Sequence, residues 1–122
     1  MLVDLSGIRF IVAVDPPKSY FPKDVFEKYS DPAIPALGFV MVEKNGKGLI
    51  SIDPWIWVRK INSVVHETAC GSGSIAACIA LRGEERGSHF LVRQPTSSVY
   101  RVELNDAEDS VLVAGTVEYG GE

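Results

Sequence analysis

Apolar and polar residues alternate from Tyr100 to Leu104, within a strand expected over Val99 to Leu104. Tyr100, Val102 and Leu104 interleave with Arg101 and Glu103, the period of a half-buried strand. Other apolar runs are denser. Gly7-Ile8-Arg9-Phe10-Ile11-Val12-Ala13-Val14 predicts a largely buried strand, closed by Asp15-Pro16-Pro17. Leu37 to Glu43 and Leu49 to Asp53 predict two more. The segment between them, Lys44-Asn45-Gly46-Lys47-Gly48, carries the Asn-Gly step of a hairpin. Pro54 interrupts, and Trp55 to Lys60 resumes as an aromatic and β-branched strand. Trp55 and Trp57 share one side of it and read as packing residues. Phe90 to Gln94 and Ser110 to Ala114 complete the set, with an acidic turn over Asn105 to Asp109. The period changes over Pro22 to Tyr29. Val25 and Tyr29 share a helix face with Phe26 beside them, and Ser30-Asp31-Pro32 ends the helix.

Ile75 to Leu81 is apolar at every position, so periodicity alone does not separate a buried strand from a buried helix. Three alanines favour the helix, and Gly83 supplies a stop. A helix apolar all round is buried all round. A small domain buries one by wrapping its sheet around it. The expected fold is therefore α+β: a curled, mostly antiparallel sheet around a central buried helix, in a single domain over residues 1–122.

Such a helix presents a buried N-terminus at Cys70-Gly71-Ser72-Gly73-Ser74. Its first N–H groups lack partners within the helix, and Ser72 or Ser74 offers a cap. Gly71 and Gly73 have no Cβ, so a ligand can approach the backbone closely. The helix dipole adds partial positive charge. Together these features suit a carboxylate or phosphate and favour a thiolate at the tip. A thiol beside an anion seat fits chemistry at the carbon next to a carboxylate. Cys-Gly-Ser-Gly alone is nevertheless a common kind of turn. Cys78 reads as a small core residue. Glu67 is either a surface charge or an acid near the helix, and His66 and His89 read as ordinary surface or strand residues.

Composition narrows the classes. The chain of 122 residues is 46% hydrophobic and 23% charged, enough for one cored domain and unlike a disordered segment. A net charge of −4 argues against a nucleic-acid partner. No apolar run reaches the roughly 18 residues that span a bilayer, so no membrane partner is expected. Met1 to Leu5 lacks the basic start of a secretory signal. With a helix between them, Cys70 and Cys78 stand about 12 Å apart at their rise per residue, too far for a disulfide. Free thiols make the cytoplasm the expected compartment. No Cys/His spacing resembles a zinc site, so no metal is expected.

Glu67-Thr68-Ala69-Cys70-Gly71-Ser72-Gly73-Ser74 resembles the second-half motif of the diaminopimelate epimerase family, which runs Glu-Thr, a spacer, Ala-Cys-Gly, Thr or Ser, Gly, then an alanine-rich helix. Val3-Asp4-Leu5 through Val14, Phe39-Val40-Met41-Val42, Arg93-Gln94-Pro95 and Val113-Ala114-Gly115 extend the likeness along most of the chain, but over only one half of a typical member. The resemblance implies amino-acid racemases and epimerases that use no pyridoxal phosphate or other cofactor. It implies two pseudo-symmetric halves, each a sheet rolled around a helix and each bringing one cysteine to a shared cleft. One thiolate removes the α-proton, and the opposite thiol returns one. By resemblance Cys70 is the second-half acid/base, and Gly71, Ser72, Gly73 and Glu67 meet the substrate. Gly7-Ile8-Arg9 stands where members acting on diaminopimelate carry Asn-Pro-His, Ile61-Asn62-Ser63 where they carry Glu-Arg, and the spacer before Cys70 is one residue short. These departures point away from diaminopimelate. The Glu-x-x-Cys-Gly-Ser-Gly spelling looks closer to the histidine-racemase-like branch.

One copy offers one positioned cysteine, because Cys78 lies two turns down the helix. The expected function is an isomerase half that acts on a small molecule, an amino acid, once paired with a second cysteine-bearing half. That half is a second copy, a separate chain or a preceding domain. The alternative is a non-catalytic binding or structural module retaining the fold.

Overall fold

The computed structural model describes residues 1–5, 7–16, 20–46, 48–68, 70–85, 89–105 and 110–117, with the backbone alone at 83–85, 105 and 110–117. The fold is α+β, a curled mixed sheet forming a half-barrel with two helices. The strands are β1 (Leu2–Leu5), β2 (Ile8–Val14), β3 (Ala36–Gly46), β4 (Leu49–Val58), β5 (Ser63–His66), β6 (His89–Arg93), β7 (Val99–Asn105) and β8 (Ser110–Val117). The helices are α1 (Pro22–Lys28) and α2 (Gly71–Glu85). The sheet runs β1-β2-β3-β4-β6-β7-β8, with β5 attached to β4 beside that path. The pairings β2–β3 and β4–β6 are parallel and the other five antiparallel, so the sheet is mixed, with antiparallel pairs in the majority. Each parallel pair follows a helical crossover, α1 in one case and α2 in the other, as parallel neighbours require.

α2 touches strands from β1 at one end of the order to β8 at the other, which is how a sheet wraps a helix. Ala76, Ala77, Cys78 and Leu81 are fully buried among Phe10, Val12, Val40, Val42, Val92 and Val102. The outer face of the sheet has its own core. There Ile11, Leu37 and Phe39 pack with Phe26 of α1, flanked by Trp55 and Trp57. Phe26 and Trp57 stack with ring centroids 6.3 Å apart. Adjacent side chains on one strand point to opposite faces. Thus Ile50, Ile52 and Ile56 of β4 join the inner core, while the two tryptophans join the outer one.

Three sequence expectations change. Gly83 does not stop α2, which continues to Glu85. Pro54 does not divide a strand, because β4 runs unbroken from Leu49 to Val58. One edge of β4 changes partner at this point: residues 49–51 pair with β6 and residues 55–58 with β5. The Pro54 carbonyl faces that edge, where it accepts the Glu67 N–H at 3.0 Å. A strand residue turns its N and its C=O to the same side, so the proline's missing donor faces Glu67 just past the end of β5, and the pairing of β4 with β3 on the other edge is untouched. Finally, the strand expected to reach Lys60 ends at Val58. A 3-10 turn over Arg59–Ile61 and a left-handed Asn62 (φ 47°) reverse the chain into β5. Asn tolerates this conformation better than most residues, and its Oδ1 accepts the Trp57 indole N–H at 3.0 Å. Most of the acidic turn, residues 106–109, lies outside the described residues.

Cys78 is the core residue expected of it. Burial pushes its thiol from the ordinary 9.0 up to about 12. The native state then holds that proton more tightly than the unfolded chain. The associated stability is complete below pH 9.0 and is lost as pH rises towards about 12. Fully developed, that difference amounts to about 4 kcal/mol. Urea titrations at pH 8 and pH 11 are expected to show an alkaline loss of stability that is smaller in Cys78→Ala. An equal loss in both proteins would remove Cys78 as its cause.

Candidate functional site at the tip of the central helix

The segment entering α2 is fastened to two neighbours. Glu67 donates its N–H to Pro54 of β4, and the Thr68 carbonyl accepts the Thr96 N–H at 3.3 Å from the β6–β7 turn. Cys70 follows. Its backbone N–H donates to Gln94 Oε1 at 2.8 Å, and its carbonyl accepts both the Ser74 N–H at 3.0 Å and the Ser74 hydroxyl at 2.7 Å. Gln94, itself buried at 2% exposure, donates from Nε2 to Ser74 Oγ at 2.8 Å and to the Val92 carbonyl at 3.1 Å. Cys70, Ser74 and Gln94 therefore close a ring of hydrogen bonds in which both backbone groups of the cysteine are satisfied. Buried polar groups demand such partners.

The sulfur caps the helix. Cys70 Sγ accepts the Gly73 N–H at 3.2 Å, taking the place expected for a serine oxygen. Neither serine acts in that role: Ser74 bonds back to Cys70, and Ser72 Oγ lies 3.6 Å from Cys70 Sγ. The N–H groups of Gly71 and Ser72 have no protein partner among the described residues. They are the donors left for an anion. Gly71 has open space where a Cβ would stand, Ser72 is exposed, and Cys70 itself retains 8% exposure. Cys70, Gly71 and Ser72 thus come together at one accessible tip. Gly73 belongs to it differently, because its N–H is spent on the sulfur. Glu67 stands opposite Pro54, the residue whose Cβ would lie 3.4 Å from a Cβ at Gly73, so its backbone borders the tip.

Gly73 is also a steric keyhole. A Cβ there would stand 3.0 Å from Cys70 Sγ and 3.4 Å from Cys70 Cβ. Gly73→Ala gains about 0.5–1 kcal/mol of intrinsic helix preference. It also presses on the sulfur, which must give way by a few tenths of an ångström and loosen its bond to the Gly73 N–H. The expected outcome is a protein with stability close to wild type by urea denaturation and much-reduced chemistry at Cys70. Loss of the folded state, or unchanged chemistry, would contradict that role.

The remaining candidates separate from the tip. His66 stacks on Trp55 with ring centroids 4.2 Å apart, and its Nε2 bonds Asp53 Oδ1. Trp55 belongs to the outer face, so this cluster lies across the sheet from α2. His89 pairs with Glu103 at 3.4 Å on an exposed surface. A groove of about 330 Å³ beside α1, lined by Lys23, Phe26, Glu27, Trp57 and Asn62, also belongs to the outer side. Cys70 and Cys78 are both free thiols. Among the described residues no three His, Cys, Asp or Glu side chains converge as a metal set, and no helix is long and apolar enough to cross a membrane.

Sequence reasoning did not single out Gln94 for the site. It stands 24 residues beyond Cys70, at the end of a strand, and only the parallel β4–β6 pairing carries it to the helix tip. A polar residue after the apolar run Phe90 to Val92 was the one available signal. The chain matches no protein-family model and no curated protein.

Proposed function

We propose that this domain is one half of a cofactor-independent amino-acid racemase or epimerase, with Cys70 as one of its two acid/base thiols. The observation that carries this reading is the helix tip. A sulfur sits in the first turn of α2 beside two N–H groups, from Gly71 and Ser72, that no protein group among the described residues takes up. A substrate carboxylate accepts those two donors and is favoured there by the helix dipole. The α-carbon, one bond away, then falls beside Cys70 Sγ. As thiolate, Cys70 removes the α-proton, and the electron pair spreads into the carboxylate held by the helix. A thiol on the opposite face supplies a proton, giving the inverted centre. In the reverse direction the roles exchange. The resemblance of the Cys-Gly-Ser-Gly motif to the diaminopimelate epimerase family supports the same assignment, and the free thiols fit a reducing compartment such as the cytoplasm.

Cys78 does not supply the second thiol, since it is fully buried and held protonated to about pH 12. The opposite face therefore belongs to a second cysteine-bearing half, which also completes the side-chain pocket. Near-attack geometry from both sides of one carbon requires that pairing. The test is solvent-deuterium incorporation at the α-carbon of L-amino acids in D2O, read by NMR, with the domain alone and with candidate halves. Deuterium in both enantiomers supports the reading. If no amino acid exchanges under any pairing, the domain is a binding or structural module instead.

A further inference from the structure

We propose that Gln94 is the positioning residue for Cys70, holding the backbone from which the sulfur reaches the Gly73 N–H. This rests on Cys70 being the reacting group. A closed ring of bonds carries the proposal. Gln94 Oε1 accepts the Cys70 N–H at 2.8 Å, and its Nε2 donates at 2.8 Å to Ser74 Oγ, which in turn holds the Cys70 carbonyl at 2.7 Å. One side chain thereby fixes both ends of the cysteine's peptide frame, the second through a serine. The side-chain amide is itself pinned by the Val92 carbonyl at 3.1 Å, and its backbone by the 2.8 Å bond from the Gln94 N–H to the Ser98 carbonyl. The clamp therefore belongs to the hydrogen-bonded turn that follows β6, not to the helix it serves. Gln94 has no path of its own to a substrate at the tip, because its polar atoms are consumed by protein groups and it is 2% exposed.

The side-chain amide is well suited to this position. It offers an acceptor to a backbone N–H and a donor to a hydroxyl from one planar group. A carboxylate keeps the acceptor and loses the donor. An apolar isostere loses both and leaves the buried Cys70 N–H unsatisfied.

Amide hydrogen exchange of the folded protein, followed by NMR, decides the matter. In Gln94→Met the Gly73 N–H, which donates to the sulfur, is expected to exchange at least about tenfold faster than in wild type, with the Cys78 amide in mid-helix unchanged. A general loss of stability would accelerate both amides together, so their ratio reports positioning alone. Gln94→Glu is expected to keep Cys70 N–H protection and to recover part of the Gly73 protection. Should Gln94→Met not fold, Ser74→Ala opens the same ring from its other side and is expected to shift the ratio in the same direction. A Gly73-to-Cys78 ratio that stays at the wild-type value in the folded variants overturns the proposal. The readout uses no substrate. A wild-type protein without α-proton exchange would count against the racemase reading, while the amide ratio would still decide the clamp.

Discussion

Cys70→Ser is expected to reduce α-proton exchange by about a hundredfold to ten-thousandfold, the range that a positioned acid or base contributes. The substitution is conservative in shape. A serine oxygen can accept the Gly73 N–H that the sulfur now accepts, and serine is among the preferred helix-capping residues. The backbone bonds to Gln94 and Ser74 do not involve the side chain and should persist. Stability measured by urea should therefore stay within about 1 kcal/mol of wild type, inside the usual effect of a mild change. What is lost is acidity, since a hydroxyl gives up its proton far less readily than a thiol. Retained exchange in Cys70→Ser would mean that another group abstracts the proton. Loss of exchange together with unfolding would instead mark Cys70 as a structural cap. Cys78→Ala provides the contrast and should leave exchange intact.

Gly38→Ala is expected to have the largest effect on stability. Gly38 of β3 pairs in register with Phe10 of β2, and the Phe10 ring lies across it. A Cβ at Gly38 would stand 2.2 Å from Phe10 Cε1 and 2.3 Å from Cδ1. Phe10 is fully buried in the inner core, so the ring cannot step aside into solvent. Overpacking of this kind costs about 1–3 kcal/mol and sometimes more, and so short an approach puts this site at the upper end. The measurement is the urea midpoint of Gly38→Ala beside that of Gly38→Ala/Phe10→Leu. The smaller side chain should return part of the loss, a favourable coupling between touching sites. Strictly additive effects would show that the ring and the glycine do not meet.

The elements most legible in the sequence were those set by local signals. β7 alternates from Tyr100 to Leu104 and Pro22 opens α1, while the Asn45-Gly46 step marks the end of β3, both residues still lying within that strand. The apolar run Ile75 to Leu81 gave both the helix and the sheet wrapped around it. Long-range geometry was less accessible. Pro54 looked like a break because local rules treat proline as one. It is tolerated inside β4 only because two different strands share that edge, a fact of topology. β5 escaped notice because Ser63-Val64-Val65-His66 is short, and all but Ser63 are exposed. Gly83 carries the usual signal of a helix end, yet α2 runs past it. At the site, Cys70, Gly71 and Ser72 were legible because a thiol and small residues precede an apolar helix. The capping role of the sulfur was not, since serine is the usual cap and two serines stand nearby. Gln94 was invisible as a partner, because no local pattern links it to a residue so far away in the chain.

The carboxylate seat at Gly71 and Ser72 is tested most directly by an amide-resolved NMR titration of the folded protein. The probes are an L-amino acid and its carboxamide, which lacks the anion. The amino acid should shift the Gly71 and Ser72 N–H resonances in a saturable way. Gly73, whose N–H is already given to Cys70 Sγ, should respond less, and the carboxamide should leave all three nearly unmoved. Equal responses to both probes, or shifts confined to the outer-face groove around Trp57 and Asn62, would contradict a substrate site at the tip of α2.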